Sequence, residues 1–335
     1  MTEPLRLGIV GVAGIGGTHA DAIERADGAE LIAGADLVEE SVREFAEERS
    51  CAWYTDHVEM IEDADLDAVT IGTPSGTHAG LAIDALEAGA HVLCEKPLDV
   101  YRERVDAMIE AAEVSDRVLA GVFQHRTDAE NRRAYEAVRS GELGDVILAD
   151  TTVKWYRTQG YYDSADWRGT REMDGGCLMN QAIHSIDLLQ WIAGDVERMC
   201  ARTGTLAREM EMEDAAVIAL EFENGGFGSV EATTAVQGGQ SRLEVNGTDG
   251  SFNTDSFSTP DDAPVITYEP NNAEWGEAHA TVVQDFVDAL REGRDPMVPA
   301  HEARKAVDVI LAAYESVDRD GEWIDLDVFR TGAYG

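Results

Sequence analysis

The chain has 335 residues, too many for one core and about right for two domains, and 44% of them are hydrophobic, enough to build real cores. Its 66 acidic residues outnumber 26 basic ones, a formal charge of -40 that makes nucleic acid and anionic membranes poor partners. The acids are dispersed and lysine occurs only at positions 96, 154 and 305, a composition that resembles proteins of salt-rich cytoplasms.

The cysteines at 51, 94, 177 and 200 have no C-x-x-C or zinc-type spacing, so neither a disulfide framework nor a metal is expected. The charged start and the short apolar run Leu7 to Val12 do not form a signal peptide, and no run reaches membrane-spanning length. A soluble, cytoplasmic protein is predicted.

Leu5 to Val10 is predicted as a strand, followed by Gly11-x-Ala13-x-x-Gly16. Gly11 would make the tight turn, Ala13 leaves slightly less room for a pyrophosphate than glycine, and Gly16 lets a helix pack close to the strand. Unpaired N–H groups at that helix start suit phosphate. A second strand, Glu30 to Ala35, ends at Asp36, an acid placed to accept hydrogen bonds from both adenosine ribose hydroxyls. Strands at Ala68 to Ile71, His91 to Cys94 and Val118 to Val122 alternate with helices at Thr77 to Ala88 and Tyr101 to Val114. This is a doubly wound βαβ series with a parallel sheet, and dinucleotide binding is expected of it. Ligands of such sheets sit beyond the carboxyl ends of the strands, here Gly72-Thr73-Pro74-Ser75 and Glu95-Lys96-Pro97. In a chain that nearly avoids lysine, Lys96 is placed to donate a hydrogen bond to a substrate oxygen.

Beyond residue 122 the pattern changes. Thr127 to Ser140 reads as a charged helix and Asp145 to Tyr156 as a strand. Lys154, Arg157, Tyr162, Trp167 and Arg168 follow in an aromatic stretch that offers a sugar stacking faces and fixed donors. Gly175 to Trp191 then forms a helix with Leu178, Ala182, Ile186 and Leu189 on one side and Asn180, His184 and Asp187 on the other. Such a polar face is either a proton-transfer site or a set of core groups that bond one another. Strands are expected at Ala215 to Phe222, Gly226 to Ala235, Arg242 to Val245 and Val265 to Tyr268, paired antiparallel through short turns. Amphipathic helices from about His279 to Leu290 and His301 to Tyr314 close the chain, with both histidines read as helix-start or surface residues.

With these motifs in place the sequence resembles the Gfo/Idh/MocA family of NAD(P)-dependent oxidoreductases. The likeness rests on the fingerprint at 11–16, TPSGTH at 73–78, HVLCEKPL at 91–98, SGELGDV at 140–146, WRGT at 167–170 and GGCLMNQAIHSIDLLQW at 175–191. It implies a Rossmann domain, residues 1–122, and a second α+β domain, residues 123–335, with a large, mostly antiparallel open sheet that often mediates oligomer contacts. It also implies hydride transfer between nicotinamide and a secondary alcohol of a sugar, polyol or inositol-like substrate; Asp36, followed by Leu37, Val38, Glu39 and Glu40 with no counter-charge for a phosphate, favours NAD over NADP. The family's Lys-Asp-His set becomes Lys96, Asn180 and His184 here, so proton transfer shifts towards His184 and Lys96. Asp187 either orients the imidazole or anchors the helix.

The candidate cofactor-binding residues are Gly11, Ala13, Gly14, Ile15, Gly16, Asp36, Thr73, Pro74, His78, Glu95 and Lys96. The candidate substrate-binding residues are Lys96, Gln124, Arg126, Lys154, Arg157, Tyr162, Trp167, Arg168, Asn180 and His184, with Lys96, Asn180 and His184 catalytic. A homodimer or homotetramer is expected. Two other readings stay open within the family: a glycoside hydrolase that retains NAD, and a non-catalytic dinucleotide-binding sensor. A sugar-binding scaffold without nucleotide is disfavoured by Gly11, Gly16 and Asp36 together.

Overall fold

The computed structural model describes residues 3–254, 256–258 and 275–334. The chain divides into two units. The first runs to Gln124 and takes in a later return of the chain through Arg304; the second begins at His125 and resumes at Lys305.

The first unit opens β1 (Leu5–Val10), α1 (Ile15–Arg25), β2 (Ala29–Ala35), α2 (Glu39–Arg49), β3 (Ala52–Tyr54) and α3 (His57–Asp63). It continues β4 (Ala68–Ile71), α4 (His78–Glu87), β5 (His91–Cys94), α5 (Arg102–Ser115) and β6 (Leu119–Gly121). The six strands lie in the order β3-β2-β1-β4-β5-β6, all parallel. Their order reverses between β1 and β4, the crevice where nucleotides bind in such sheets. β4 is buried along its whole length, as a strand covered on both faces must be.

The second unit holds α6 (Ala129–Arg139), β7 (Val146–Lys154), α7 (Gln159–Tyr162), α8 (Ile183–Ala193), β8 (Val196–Gly204), β9 (Ala215–Phe222), β10 (Phe227–Thr233), β11 (Arg242–Gly247), β12 (Ser251–Asn253) and β13 (Ser256–Ser258). Its eight-stranded sheet has the order β13-β12-β11-β7-β10-β9-β8-β14, where β14 is Ile324–Asp325. All pairs are antiparallel except β7 with β10. Burial alternates along β9 and β10, so one face is covered and the other open. α8 packs against β7 and β11. The strand expected at Val265 to Tyr268 lies outside the described residues.

The two closing helices are α9 (Trp275–Glu292) and α10 (Ala300–Asp318), with α11 (Leu326–Arg330) after β14. The domain division expected at 122/123 needs correction on their account. Val282, Val283, Phe286 and Val287 of α9 share one core with Leu7, Ile9, Ala20 and Ile23, so α9 completes the first unit. Each such side chain removed from water stabilises the packing by roughly 1.5–3 kcal/mol, which is why the chain returns there. Among the described residues no helix is long and apolar enough to cross a membrane.

Candidate active site

In the first unit the fingerprint loop joins β1 to α1. A Cβ on Gly16 would lie 2.2 Å from the Gly11 carbonyl oxygen, so only glycine lets α1 begin this close to the strand. Ala13 and Gly14 are exposed at the loop crest, where N–H groups at the start of α1 can meet a pyrophosphate. Asp36 ends β2 beside this loop. Its carboxylate accepts the Val12 N–H at 3.2 Å and the Val38 N–H at 3.0 Å, and its remaining lone pairs suit ribose hydroxyls. The residues present fit a dinucleotide.

The two proline-bearing strand ends are tied together. The His78 ring nitrogens lie 2.8 Å from the Pro97 carbonyl and 2.8 Å from the Thr73 carbonyl. His78 is 1% exposed, so its place is as a brace between the loops rather than as a direct cofactor contact. Thr73 and Thr77 hydroxyls meet at 2.8 Å, and Asp99 accepts N–H groups from Val100, Tyr101 and Ala79.

Glu95, expected to touch the cofactor, turns inward instead. Its Oε1 lies 3.0 Å from His19 Nε2 and 3.4 Å from His279 Nε2. Burial alone would raise its pKa, but the hydrogen bonds and charges of the two imidazoles hold the carboxyl well below the usual range. Its Oε2 accepts the Lys96 N–H at 3.2 Å, so this buried cluster fixes the backbone that presents Lys96. His279 is thus no surface residue; His301 is exposed. Among the described residues no group of three or more His, Cys, Asp and Glu side chains could hold a metal.

In the second unit a π-turn, Leu178–Ala182, precedes α8. Glu213 makes this turn. Its main-chain oxygen accepts the Cys177 N–H at 2.9 Å and its Oε1 accepts the Leu178 N–H at 2.9 Å. A Cβ on Gly176 would lie 2.1 Å from the Glu213 carboxylate, so the close approach requires glycine. Burial pushes the Glu213 carboxyl up to about 7 against the opposing Leu178 N–H and Tyr314 hydroxyl.

Asn180 and His184 are half-buried on this segment. The Asn180 amide donates to Asp174, whose other oxygen accepts the Gly169 N–H at 2.7 Å, and Gln181 donates to Asn180 Oδ1 at 2.9 Å. The His184 ring stands edge-on to His125 at 5.1 Å, and His125 Nδ1 lies 3.1 Å from Asp128 Oδ2. His184 lines a cavity of about 260 Å³ with Gln181, Ser185, His125, Asp128 and Trp155. At roughly 30 Å³ per water, this is room for a small polyhydroxylated molecule.

Four expected substrate residues are placed otherwise. Arg126 is 2% exposed, and it binds Asp187 through two hydrogen bonds, Nε to Oδ2 at 2.9 Å and Nη2 to Oδ1 at 2.6 Å. Asp187 therefore anchors α8. Lys154 shares the outer face of β7 with Asp150 and Thr152, opposite the α8 side, and pairs with Glu231 at 2.7 Å. Tyr162 is 5% exposed with its hydroxyl on Thr234 at 2.7 Å, and burial raises its pKa to about 12. Gln124 is buried in the first unit. Arg157, Trp167 and Arg168 remain together: Tyr161, of the same aromatic stretch, lies under both guanidiniums at 4.8 and 4.3 Å, and Arg168 also covers Trp167 at 4.5 Å. Asp174, His125, Asp128 and Glu213 were missed, because single acids and histidines in irregular stretches carry no period that marks them.

A profile described as "Oxidoreductase family, NAD-binding Rossmann fold" matches residues 5–122, and one described as "GFO/IDH/MocA C-terminal domain" matches residues 131–253. The chain is 28% identical to myo-inositol 2-dehydrogenase of Thermotoga maritima, over 94% of this chain and 96% of that one. It is 28% identical to D-xylose 1-dehydrogenase (NADP(+)) 2 of Haloferax volcanii, over 96% of this chain and 100% of that one. The fold matches the WlbA dehydrogenase of Bordetella pertussis, solved with NADH and UDP-GlcNAcA, with a TM-score of 0.87 and 31% identity over 96% of this chain and 99% of that one.

Proposed function

We propose that this chain, which belongs to the Gfo/Idh/MocA family of oxidoreductases, is an NAD-dependent dehydrogenase acting on a secondary alcohol of a sugar, polyol or inositol-like substrate. The observation that carries this reading is His184: a half-buried imidazole lining a cavity with Gln181, Ser185 and His125, on a segment braced by Glu213, Asp174 and Asp187. Bound NAD supplies the hydride acceptor; Ala13, Gly14 and Asp36 hold its phosphates and ribose. His184 removes the hydroxyl proton, Lys96 polarises the same oxygen, and Asn180 orients the reacting group with Asp174 behind it. The dehydrogenase names of the relatives speak for net redox turnover over the hydrolytic and sensor alternatives.

The test is a panel of aldoses, polyols, inositols and sugar acids followed by NADH absorbance. Lys96→Ala and His184→Ala should each lower kcat by roughly a hundredfold or more while NAD still binds. If the two act on one oxygen, the double variant should be little worse than the worse single. Near-normal turnover in either single variant would dismiss the mechanism.

The finer reading is a cytoplasmic, salt-adapted homodimer or homotetramer, built on the open sheet face where Val217, Phe227 and Leu148 are exposed. Light scattering that returns a monomer in both low and high salt would dismiss the assembly.

A further inference from the structure

Among the described residues Arg157 is a guanidinium without an acceptor. Among the described residues none of its side-chain nitrogens makes a hydrogen bond or ion pair, and its Nε is buried without a partner. A desolvated donor of this kind is costly and demands an explanation. The group is held in place by stacking: its centre lies 5.4 Å from the Trp155 ring and 4.8 Å from the Tyr161 ring. Arg168 sits 4.3 Å from the same Tyr161 ring, donates to its hydroxyl at 2.7 Å and to Ser164 Oγ at 3.1 Å. Arg208 adds a third cation, its Nε on the Arg157 carbonyl at 2.7 Å and its Nη2 buried without a partner.

None of these three guanidiniums has a carboxylate at ion-pair distance among the described residues. Acids outnumber bases 66 to 26, and other arginines of this unit find them, as Arg198 does in Glu221 and Arg330 in Asp308. One acid near Tyr161 is Asp174, which is bonded to the Gly169 N–H and the Asn180 amide. A planar guanidinium clamped on aromatic faces, with its edge donors unspent, is preorganised for a bidentate oxyanion. The cluster is also one side chain from the chemistry: Gln181 interacts with the Tyr161 hydroxyl, bonds Asn180 and lines the His184 cavity.

We propose that Arg157, with Arg168 beside it, binds an anionic group of the substrate, so that the enzyme acts on a sugar acid, sugar phosphate or nucleotide sugar in preference to the neutral sugar. The shared chemistry is a carboxylate or phosphate oxyanion, received edge-on by the Arg157 guanidinium. The inference rests on the dehydrogenase reading.

The experiment compares glucose, galactose and mannose with their uronates, 6-phosphates and UDP-linked forms at constant ionic strength. NADH formation gives kcat/KM, and calorimetry gives affinity for the NAD-loaded enzyme. At least one charged form should exceed its neutral sugar at least about tenfold, and the charged series that wins identifies carboxylate or phosphate. Arg157→Gln should shrink that ratio by roughly tenfold or more, mainly through KM, with Arg168→Gln acting in the same direction and Arg157→Lys restoring part of it. Turnover that favours the neutral sugars throughout overturns the anion site and leaves the dehydrogenase reading standing. A charge preference that both glutamine variants leave unchanged overturns it as well. If nothing in the panel is oxidised, the dehydrogenase reading fails, and calorimetry decides the site separately: charged sugars that bind no better than neutral ones overturn it. Should Arg157→Gln not fold, Arg168→Gln and the wild-type comparison carry the same decision.

Discussion

Asp36 shows how much one carboxylate at a strand end decides. NADP would set a phosphate where NAD offers a 2′-hydroxyl, beside an acid whose following residues are Leu37, Val38, Glu39 and Glu40. The first cation in that direction, Arg43, is committed to Glu39 at 2.7 Å and to the Trp53 ring at 4.4 Å. The kcat/KM for NAD should therefore exceed that for NADP at least about tenfold, a difference of ~1.4 kcal/mol. Asp36→Ala should narrow the gap mainly by weakening NAD; equal use of the two cofactors would mean that Asp36 does not face the ribose. Glu213 makes a second prediction. Its carboxyl is raised from the ordinary 4.5 to about 7, so between those values the native state holds a proton that the unfolded chain has released. Its contribution to stability is complete below about pH 4.5 and is lost as pH rises through about 7. The stability difference between wild type and Glu213→Gln should fall by up to roughly 3 kcal/mol across that window. Calorimetric melting of both proteins at matched pH values checks this; a pH-independent difference would mean that the carboxyl does not titrate there. At this scale the motif at 175–191 pointed to Asn180 and His184, which lie half-buried on the segment leading into α8, with His184 on a cavity. The sequence misled at Arg126, Lys154 and Tyr162, because nearness in sequence to a substrate loop says nothing about which way a side chain faces.

Among elements, the apolar runs were the readable ones. Ala68–Ile71 and His91–Cys94 are strands with the expected bounds, because an unbroken buried run, four residues in the first and three in the second, fits a strand covered on both faces. β8 went unread, since its sequence VERMCARTG hides a half-buried strand among charged residues. β3 is only three residues long. The place of α9 in the first core was illegible for another reason: an amphipathic helix announces its apolar face and not the partner for it. The central segment was foreseen as a regular helix with Asp187 beside His184, but the π-turn interrupts it before α8 and Asp187 is spent on Arg126. That pair, 2% and 1% exposed, gives the element-scale prediction. Removing either partner takes away the bidentate counter-charge of a buried group, so Arg126→Ala or Asp187→Ala should each cost about 3–5 kcal/mol. Replacing both with apolar residues of similar volume should recover much of that loss. Urea unfolding midpoints measure all three; additive losses would show that the two charges do not act as a pair.

For the whole molecule the governing fact is a formal charge of -40. Ion pairs on the surface do not cancel it, since even a full match of 26 bases leaves most of the 66 acids unpaired. The attractive pairs are themselves weak at exposed positions, on the order of 0–1 kcal/mol each. Repulsion among the remaining carboxylates acts through solvent, with a Debye length of roughly 10 Å at 0.1 M salt and about 3 Å at 1 M. Raising KCl from the first to the second should silence most contacts between neighbouring surface acids. It should leave the buried pairs of Glu95 with His19 and of Arg126 with Asp187 nearly unchanged, because salt does not reach them. Melting temperature should therefore climb with KCl well past physiological ionic strength, and NaCl should act alike because screening depends on ionic strength alone. The rise should be steepest at pH values where the acids are fully ionised, and should flatten as pH falls into the carboxylate range. A melting temperature insensitive to KCl at neutral pH would make the acidic surface incidental to folding. A rise that persists unchanged at acid pH would assign the salt effect to hydrophobic burial instead.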